Sequence, residues 1–333
     1  MRLNRSAGTL VVWMVAVFTG AGIAHAQAAP AQGTTAPAPP AQAPGAQTQV
    51  PAPPPGANPA AALPVIIGPP APVPAAVAIP RPTPDELAQV NATMRRLIES
   101  DTSATKPLLK KFESLLLLQP ARKNVATTFT QTVQRRGPRH EGFVEIARRG
   151  NIDLLLDGDS ITDWWLQEAN KPVFDKYFGQ MRTANFAIAG DTTQGVLWGL
   201  RNGEGQGFQP KAIMLMIGTN NQGNTGPEIA EGVGAVVQEM RTDFPDAKIL
   251  LLAIFPRGMP NDPVREKIAE ANRIIARLDD QQHVFFLDIG PKFLDASGNL
   301  LPGTFRPDNL HPIAKGYEIW GEAVKDMLAE LLK

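Results

Sequence analysis

The residues best equipped for chemistry begin in the stretch Ile152 to Trp165, IDLLLDGDSITDWW, where an apolar run ends in Asp157-Gly158-Asp159-Ser160 and a helical pattern follows. Three readings fit it: Ser160 is a nucleophile at the end of a buried strand, an aspartate is the nucleophile, or Asp159 and Ser160 only cap a helix. An acyl-transferring serine needs a base for its proton, a carboxylate to orient that base, and donors aimed at the developing oxyanion. The chain has four histidines. His25 lies in an N-terminal apolar segment, His140 precedes the first strand, and His283 begins the fifth strand at its wrong end. His311 lies past a strand's carboxyl end, and Asp308, three residues earlier, is close enough to fold back onto its ring. The plainer reading of His311 is a helix-start residue packed by Pro312.

These side chains need a frame. From Ile152 onward short apolar runs alternate with helical patterns, as in repeated strand-helix units around a parallel sheet. The expected strands are Ile152 to Leu156, Thr183 to Ile188, Ala212 to Ile217, Ile249 to Phe255 and Val284 to Asp288. Helices are expected over Thr162 to Phe178, Thr193 to Leu200, Pro227 to Phe244 and Pro263 to Leu278, with a last one carrying Tyr317, Trp320, Val324 and Leu328. The fold class is thus three-layer α/β/α with a five-stranded parallel, flavodoxin-like sheet over residues 151–333. Ligands of such sheets bind outside the carboxyl ends of the strands. The residues falling there are Asp159-Ser160, Gly190-Asp191, Thr219-Asn220-Asn221, Arg257 and Asp308 to His311.

The rest of the 333 residues, 43% of them hydrophobic across the whole chain, is organised differently. Arg2 and Arg5 precede an apolar run of about 14 residues, short for a bilayer span of roughly 20, and Ala24-His25-Ala26 supplies a small-x-small cleavage pattern. A signal peptide is expected over 1–26, an exported (periplasmic or secreted) protein follows, and no stable membrane insertion remains after cleavage. Residues 27–82 read as a Pro/Ala-rich disordered linker, within which PVIIGPPAPVP is the one strip that fits a partner. Residues 83–150 read as an accessory helical segment. Thr83-Pro84-Asp85-Glu86 has the form of a capping box, and a second amphipathic helix from Pro107 aligns Leu108, Leu109, Phe112, Leu115 and Leu116.

Residues 84–150 hold 12 Lys/Arg and 7 Asp/Glu, residues 151–333 hold 17 and 25. An acidic sheet domain argues against nucleic acid as a partner, and the basic segment is expected to lie against it. There is no cysteine, hence no disulfide and no thiolate chemistry. Asp157, Asp159 and Asp163 cluster without a histidine or a calcium-loop spacing, so neither metal nor cofactor is expected. The sequence is compatible with a homodimer.

Four ordered blocks carry a resemblance: GDSI at Ser160, AIAGD at Gly190, GTNN at Asn220, and DNLHP at Asp308 and His311. From Asp153 to about Leu332 the chain resembles the GDSL, or SGNH, hydrolase family. GDSITDWW, NFAIAGDTTQGVLWGL, LMIGTNN and IFPRG look most similar to the catalytic subunits of platelet-activating-factor acetylhydrolase Ib and their bacterial relatives. The resemblance implies a metal-independent serine esterase with Ser160 as nucleophile, His311 as base and Asp308 as its orienting carboxylate. The backbone N–H groups of Ser160 and Gly190 and the Asn220 amide would form the oxyanion hole. Short acyl groups, chiefly acetyl, are implied; an exported location points to acetylated carbohydrate or cell-wall glycan. Ala189 stands where that subgroup usually has a second glycine. Asp159, Trp164, Asp191, Asn221 and Arg257 are the expected further substrate contacts, although Trp164 and Asp191 also fit helix packing and capping.

Two other functions compete. LLLDGDSIT fits the strand-Asp-x-Asp pattern of haloacid-dehalogenase-like phosphatases, with Asp157 as nucleophile, Asp159 as acid and Thr219 binding phosphate. That chemistry needs Mg²⁺ and a further carboxylate pair, for which Asp288 has no neighbour, and it leaves Asp308 and His311 idle. A non-catalytic glycan-binding module on the proline-rich spacer is the other.

Overall fold

The computed structural model describes residues 66–333, so the expected signal peptide and most of the linker lie outside the described residues. The described residues form one compact unit. Strands β1 (Leu154–Gly158), β2 (Thr183–Asn185), β3 (Ala212–Met216), β4 (Lys248–Leu252) and β5 (Val284–Leu287) make a parallel sheet in the order β2-β1-β3-β4-β5. The expected strands are present, shifted or trimmed at their ends: the first runs two residues further, to Gly158. Their near-continuous apolar character follows from burial on both faces.

Side chains alternate between two cores. Leu155, Ile213, Leu215, Ile249 and Leu251 point to one, Leu154, Leu156, Met214, Met216, Leu250 and Leu252 to the other. The helices, in chain order, are α1 (Pro84–Ser100), α2 (Lys106–Lys111), α3 (Glu113–Leu116), α4 (Pro138–Arg149), α5 (Ser160–Asp163), α6 (Lys171–Phe178), α7 (Thr193–Gly199), α8 (Gly226–Asp243), α9 (Pro263–Ile275) and α10 (Ala314–Leu331). Residues of α4, α7, α8 and α9 fill the first core, and residues of α6 and α10 fill the second. The single helix expected from Thr162 to Phe178 is divided: α5 is followed by a 3₁₀ turn at Trp164–Leu166 and then α6. Tyr317 Oη, donating to the Ile161 carbonyl at 2.8 Å, secures α5 against α10.

The linker composition misleads from Gly68 onward. Ala71 N–H donates to the Thr127 carbonyl at 2.7 Å and Phe129 N–H to that of Pro69 at 2.9 Å. Val77 is buried beside Gly234 of α8, where a Cβ would come within 2.4 Å of it. Arg81 closes the strap with two bonds to Glu231, at 2.5 and 2.6 Å. An uncharged Pro/Ala chain can dock when small apolar groups find a groove, which composition does not reveal. In the proposed partner strip, Ile66 and Ile67 are exposed.

The basic segment does meet the acidic domain, through Arg122–Glu228, Arg139–Asp163 and a buried cluster around Arg135. The Thr83–Glu86 capping box forms as expected. The second helix breaks at Phe112, and Leu108, Phe112, Leu115 and Leu116 stay exposed. Polar ties, Asn91 with Leu118 and Arg95 with Glu113, hold this hairpin. Among the described residues no helix is long and apolar enough to cross a membrane.

One carboxylate works against the fold. Burial, and then the neighbouring Glu239, push Asp243 at the end of α8 up to about 7, and its Oδ2 is buried without a hydrogen-bond partner. A raised folded pKa means that stability is full below the unfolded value near 4 and declines as pH rises through about 7. Asp243→Asn is therefore expected to raise Tm at pH 8 by about 2–4 °C, corresponding to on the order of 1 kcal/mol after discounting for solvent screening. At pH 4 it should give no gain. Equal changes at both pH values in thermal unfolding would refute the assignment.

Candidate active site

The row of side chains lies on the carboxyl rim. β1 ends at Gly158, whose φ of 155° only glycine adopts readily and where a Cβ would meet the Met216 carbonyl at 2.3 Å. The chain turns there into α5. Asp159 caps that helix by accepting from Ile161 N–H at 3.0 Å, so the capping role belongs to Asp159 and the Ser160 hydroxyl is left for another partner. That partner is His311: Ser160 Oγ lies 2.9 Å from its Nε2.

His311 Nδ1 lies 2.7 Å from Asp308 Oδ2, while Asp308 Oδ1 accepts from the N–H groups of Leu310 and His311. Burial tends to raise the Asp308 pKa, but these bonds outweigh it and hold the carboxyl below its usual value. An ionised carboxylate only accepts, so Nδ1 carries the ring proton and Nε2 accepts from the serine hydroxyl. That tautomer suits a base.

Gly190 has φ of 80°, and a Cβ there would lie 3.2 Å from Gln134 Nε2. Among the described residues, neither Gly190 N–H nor Ser160 N–H has a protein acceptor. The Asn220 amide donates to the Asp191 carbonyl at 2.9 Å, which fixes its plane and leaves its second N–H uncommitted. Ala189, in the place of a second glycine, donates its N–H to Asp163.

The further expected contacts fare differently. Asp159 is fully buried, its pKa pushed up to about 7 by that burial, and it does not reach a substrate. Asp191 is also fully buried and accepts from Arg135, Thr132 and Thr192. Asn221 is buried as well, engaged with Thr193 and Gln194. Each lies in a loop at the carboxyl end of a strand, but a polar residue there turns inward when the loops need it as a partner. Arg257 donates to the carbonyl and hydroxyl of Thr219 and remains partly exposed. Trp164 stacks on His311, ring centroids 3.9 Å apart.

Sequence reading missed Arg135. Its side chain is fully buried and ties together the end of β1, the loop after β2 and the helical turn after α7, with Nε at 2.6 Å from Asp191, a second nitrogen at 3.3 Å from Asp157, and a third bonded to Glu204. Burial opposes its charge, yet the three carboxylates together hold its pKa above the ordinary value. Asp157 is wholly enclosed behind the rim, pushed up to about 7 by burial despite Arg135. A substrate phosphate cannot reach it, which removes the phosphatase reading. An arginine after QTVQ carries no local pattern, and its partners Asp157, Asp191 and Glu204 are all distant in sequence.

A parallel α/β sheet with these groups on its carboxyl rim is the frame of a hydrolytic enzyme. The GDSL-like lipase/acylhydrolase family model matches residues 158–319. Platelet-activating factor acetylhydrolase IB subunit alpha2 of Rattus norvegicus is 34% identical over 195 residues, 58% of this chain and 83% of that protein. Subunit alpha1 of Homo sapiens is 32% identical over 194 residues, 58% and 82%. Among solved structures, a GDSL-like lipase from Bacteroides thetaiotaomicron matches with a TM-score of 0.47 at 16% identity, over 57% of this chain and 97% of that one. The chain belongs to the GDSL-like lipase/acylhydrolase family and is an ester-bond hydrolase.

Proposed function

We propose that the protein is an exported serine esterase that removes short acyl groups, chiefly acetyl, from carbohydrate or cell-wall glycan. The observation that carries the mechanism is the hydrogen-bonded row Ser160–His311–Asp308. Ser160 Oγ attacks the ester carbonyl as its proton passes to His311 Nε2. The C–O bond to the alcohol then breaks, the alcohol leaving with that proton, and water repeats the sequence on the acyl-enzyme. Asp308 stabilises the imidazolium without taking its proton. Ser160 N–H, Gly190 N–H and the Asn220 amide receive the oxyanion. Acetyl is favoured because relatives at 34% and 32% identity bear the name acetylhydrolase; the glycan follows from the N-terminal export pattern.

Acetate release from a panel of acetylated glycans and acetylated glycerophospholipids, with Ser160→Ala as blank, tests the reading. Glycans are expected to be the faster substrates; release confined to phospholipids would overturn the carbohydrate assignment. Asn220→Ala is expected to lower kcat by about 10²–10³-fold, the usual loss for one oxyanion donor, with KM little changed. A variant with wild-type kcat would take Asn220 out of the hole.

A further inference from the structure

Trp164 occupies an unusual place for a tryptophan beside a hydrolytic site. Its ring and that of His311 are stacked, 29° from parallel with centroids 3.9 Å apart. The Arg306 guanidinium carbon lies over the same indole, 4.4 Å from its centroid. Two planar groups that close to one centroid would interpenetrate if they shared a face, since non-bonded carbons settle about 3.5–4.0 Å apart. They therefore take opposite faces, and the indole is sandwiched between imidazole and guanidinium.

Arg306 is itself tied down. Its side chain donates to Gln167 Oε1 at 2.8 Å, and its backbone N–H donates to the His311 carbonyl at 2.8 Å. The two ends of the sandwich thus belong to one loop, Arg306 to His311, and the indole is inserted between them from the turn that follows α5, the helix that carries Ser160.

We propose that Trp164 is a positioning residue for His311, with Arg306 pressing the indole against the imidazole. The inference rests on the reading of His311 as the base. The hydrogen bonds to Asp308 and Ser160 fix the two ring nitrogens but leave the ring free to roll about the line between them; a flat partner at stacking distance removes that freedom. Stacking and cation–π attraction hold the sandwich together. A misplacement of a reacting group by about 1 Å costs on the order of 100-fold in rate, which sets the scale of what the indole protects. Because both faces of Trp164 are covered, it offers no platform to a sugar ring, and recognition of the alcohol half falls to other groups.

The test uses the full chain with Trp164→Leu, Trp164→Phe, Arg306→Gln and His311→Ala, and two readouts. One is kcat and KM on p-nitrophenyl acetate; the other is the imidazole C–H resonances of labelled histidine, with His311→Ala giving the assignment. In the wild type the His311 resonances are expected upfield of those of His283, from the ring current of the indole. Trp164→Leu should move them downfield and lower kcat about 10- to 100-fold with KM within about twofold. Trp164→Phe should keep the upfield position and most of kcat, and Arg306→Gln should fall between. A general loss of structure does not produce this rescue by a second ring.

The proposal is overturned if Trp164→Leu keeps wild-type kcat, or if kcat falls while the His311 resonances stay in place. Should Trp164→Leu fail to fold, a wild-type His311 without the upfield shift overturns it alone. An active His311→Ala sinks the base assignment, and the proposal with it. An inactive His311→Ala with a fully active Trp164→Leu sinks only the role of Trp164.

Discussion

Ser160→Ala is expected to reduce ester hydrolysis by about 10⁶-fold, the order of loss seen when a nucleophile is removed from an intact serine site, while leaving the fold in place. The substitution deletes one oxygen from a side chain that is 4% exposed. What it strips from the structure is a single hydrogen bond, to His311 Nε2 at 2.9 Å. The helix start does not depend on that hydroxyl, because Asp159 provides the cap through its bond to Ile161 N–H. An ordinary cap lost to alanine costs about 0.5–2 kcal/mol, and Ser160 does not have that duty, so the Tm should change by no more than a few degrees. Separating the two effects is the purpose of the measurement: turnover on p-nitrophenyl acetate beside thermal unfolding of the same preparation. Residual activity of Ser160→Ala within about tenfold of wild type would show that the reaction does not pass through a seryl ester. The rest of the site, the Gly190 and Asn220 donors included, would still offer a modest acceleration over water, so activity just above background is compatible with the mechanism.

Ser160 also shows what kind of information the linear chain holds. Strand ends, glycine turns and the residues that follow them were legible because a parallel sheet forces every such residue onto one rim, whatever the side chains do. His311 stood out by elimination among four histidines. Which way a rim side chain then turns was not legible. Asp159, Asp191 and Asn221 lie in the expected loops, but each serves the backbone or a buried partner. That choice is made by neighbours distant in sequence: Thr132 and Arg135 for Asp191, Thr193 and Gln194 for Asn221. The docked strap from Gly68 to Arg81 escaped for a related reason. Its anchors, Val77 and the Arg81–Glu231 pair, have meaning only opposite α8, some 150 residues away. Trp164 fits substrate contact or helix packing in the sequence; its stacking partner, His311, is distant in the chain and belongs to neither category.

The largest loss of stability is expected from Arg135→Met. The arginine is fully buried among Asp157, Asp191 and Glu204, none of them exposed to solvent. Removing one partner from a buried ionic group leaves uncompensated charge, at a cost of about 3–5 kcal/mol, which for a unit of this size lowers Tm by roughly 10 °C. Methionine fills most of the volume, so the effect should be electrostatic rather than a cavity, and that distinction can be read from pH. Asp157 already has a pKa raised to about 7 by burial, with Arg135 opposing the rise. For a carboxyl whose folded pKa lies above its unfolded value near 3.9, the folded state holds the extra proton, and stability falls as pH rises from about 4 through 7. Taking away the guanidinium raises that folded pKa further and carries the fall on to higher pH. The Tm gap between Arg135→Met and wild type should therefore be small near pH 5 and widest near pH 8. Activity should drop as well, because Asp191, adjacent to Gly190, loses its 2.6 Å tether and its carbonyl is what holds the Asn220 amide. Adding Glu204→Gln to Arg135→Met removes one of the stranded charges and should recover part of the gap at pH 8. If the gap is the same at pH 5 and pH 8, packing around the arginine, and not the balance of charge, is what residue 135 contributes.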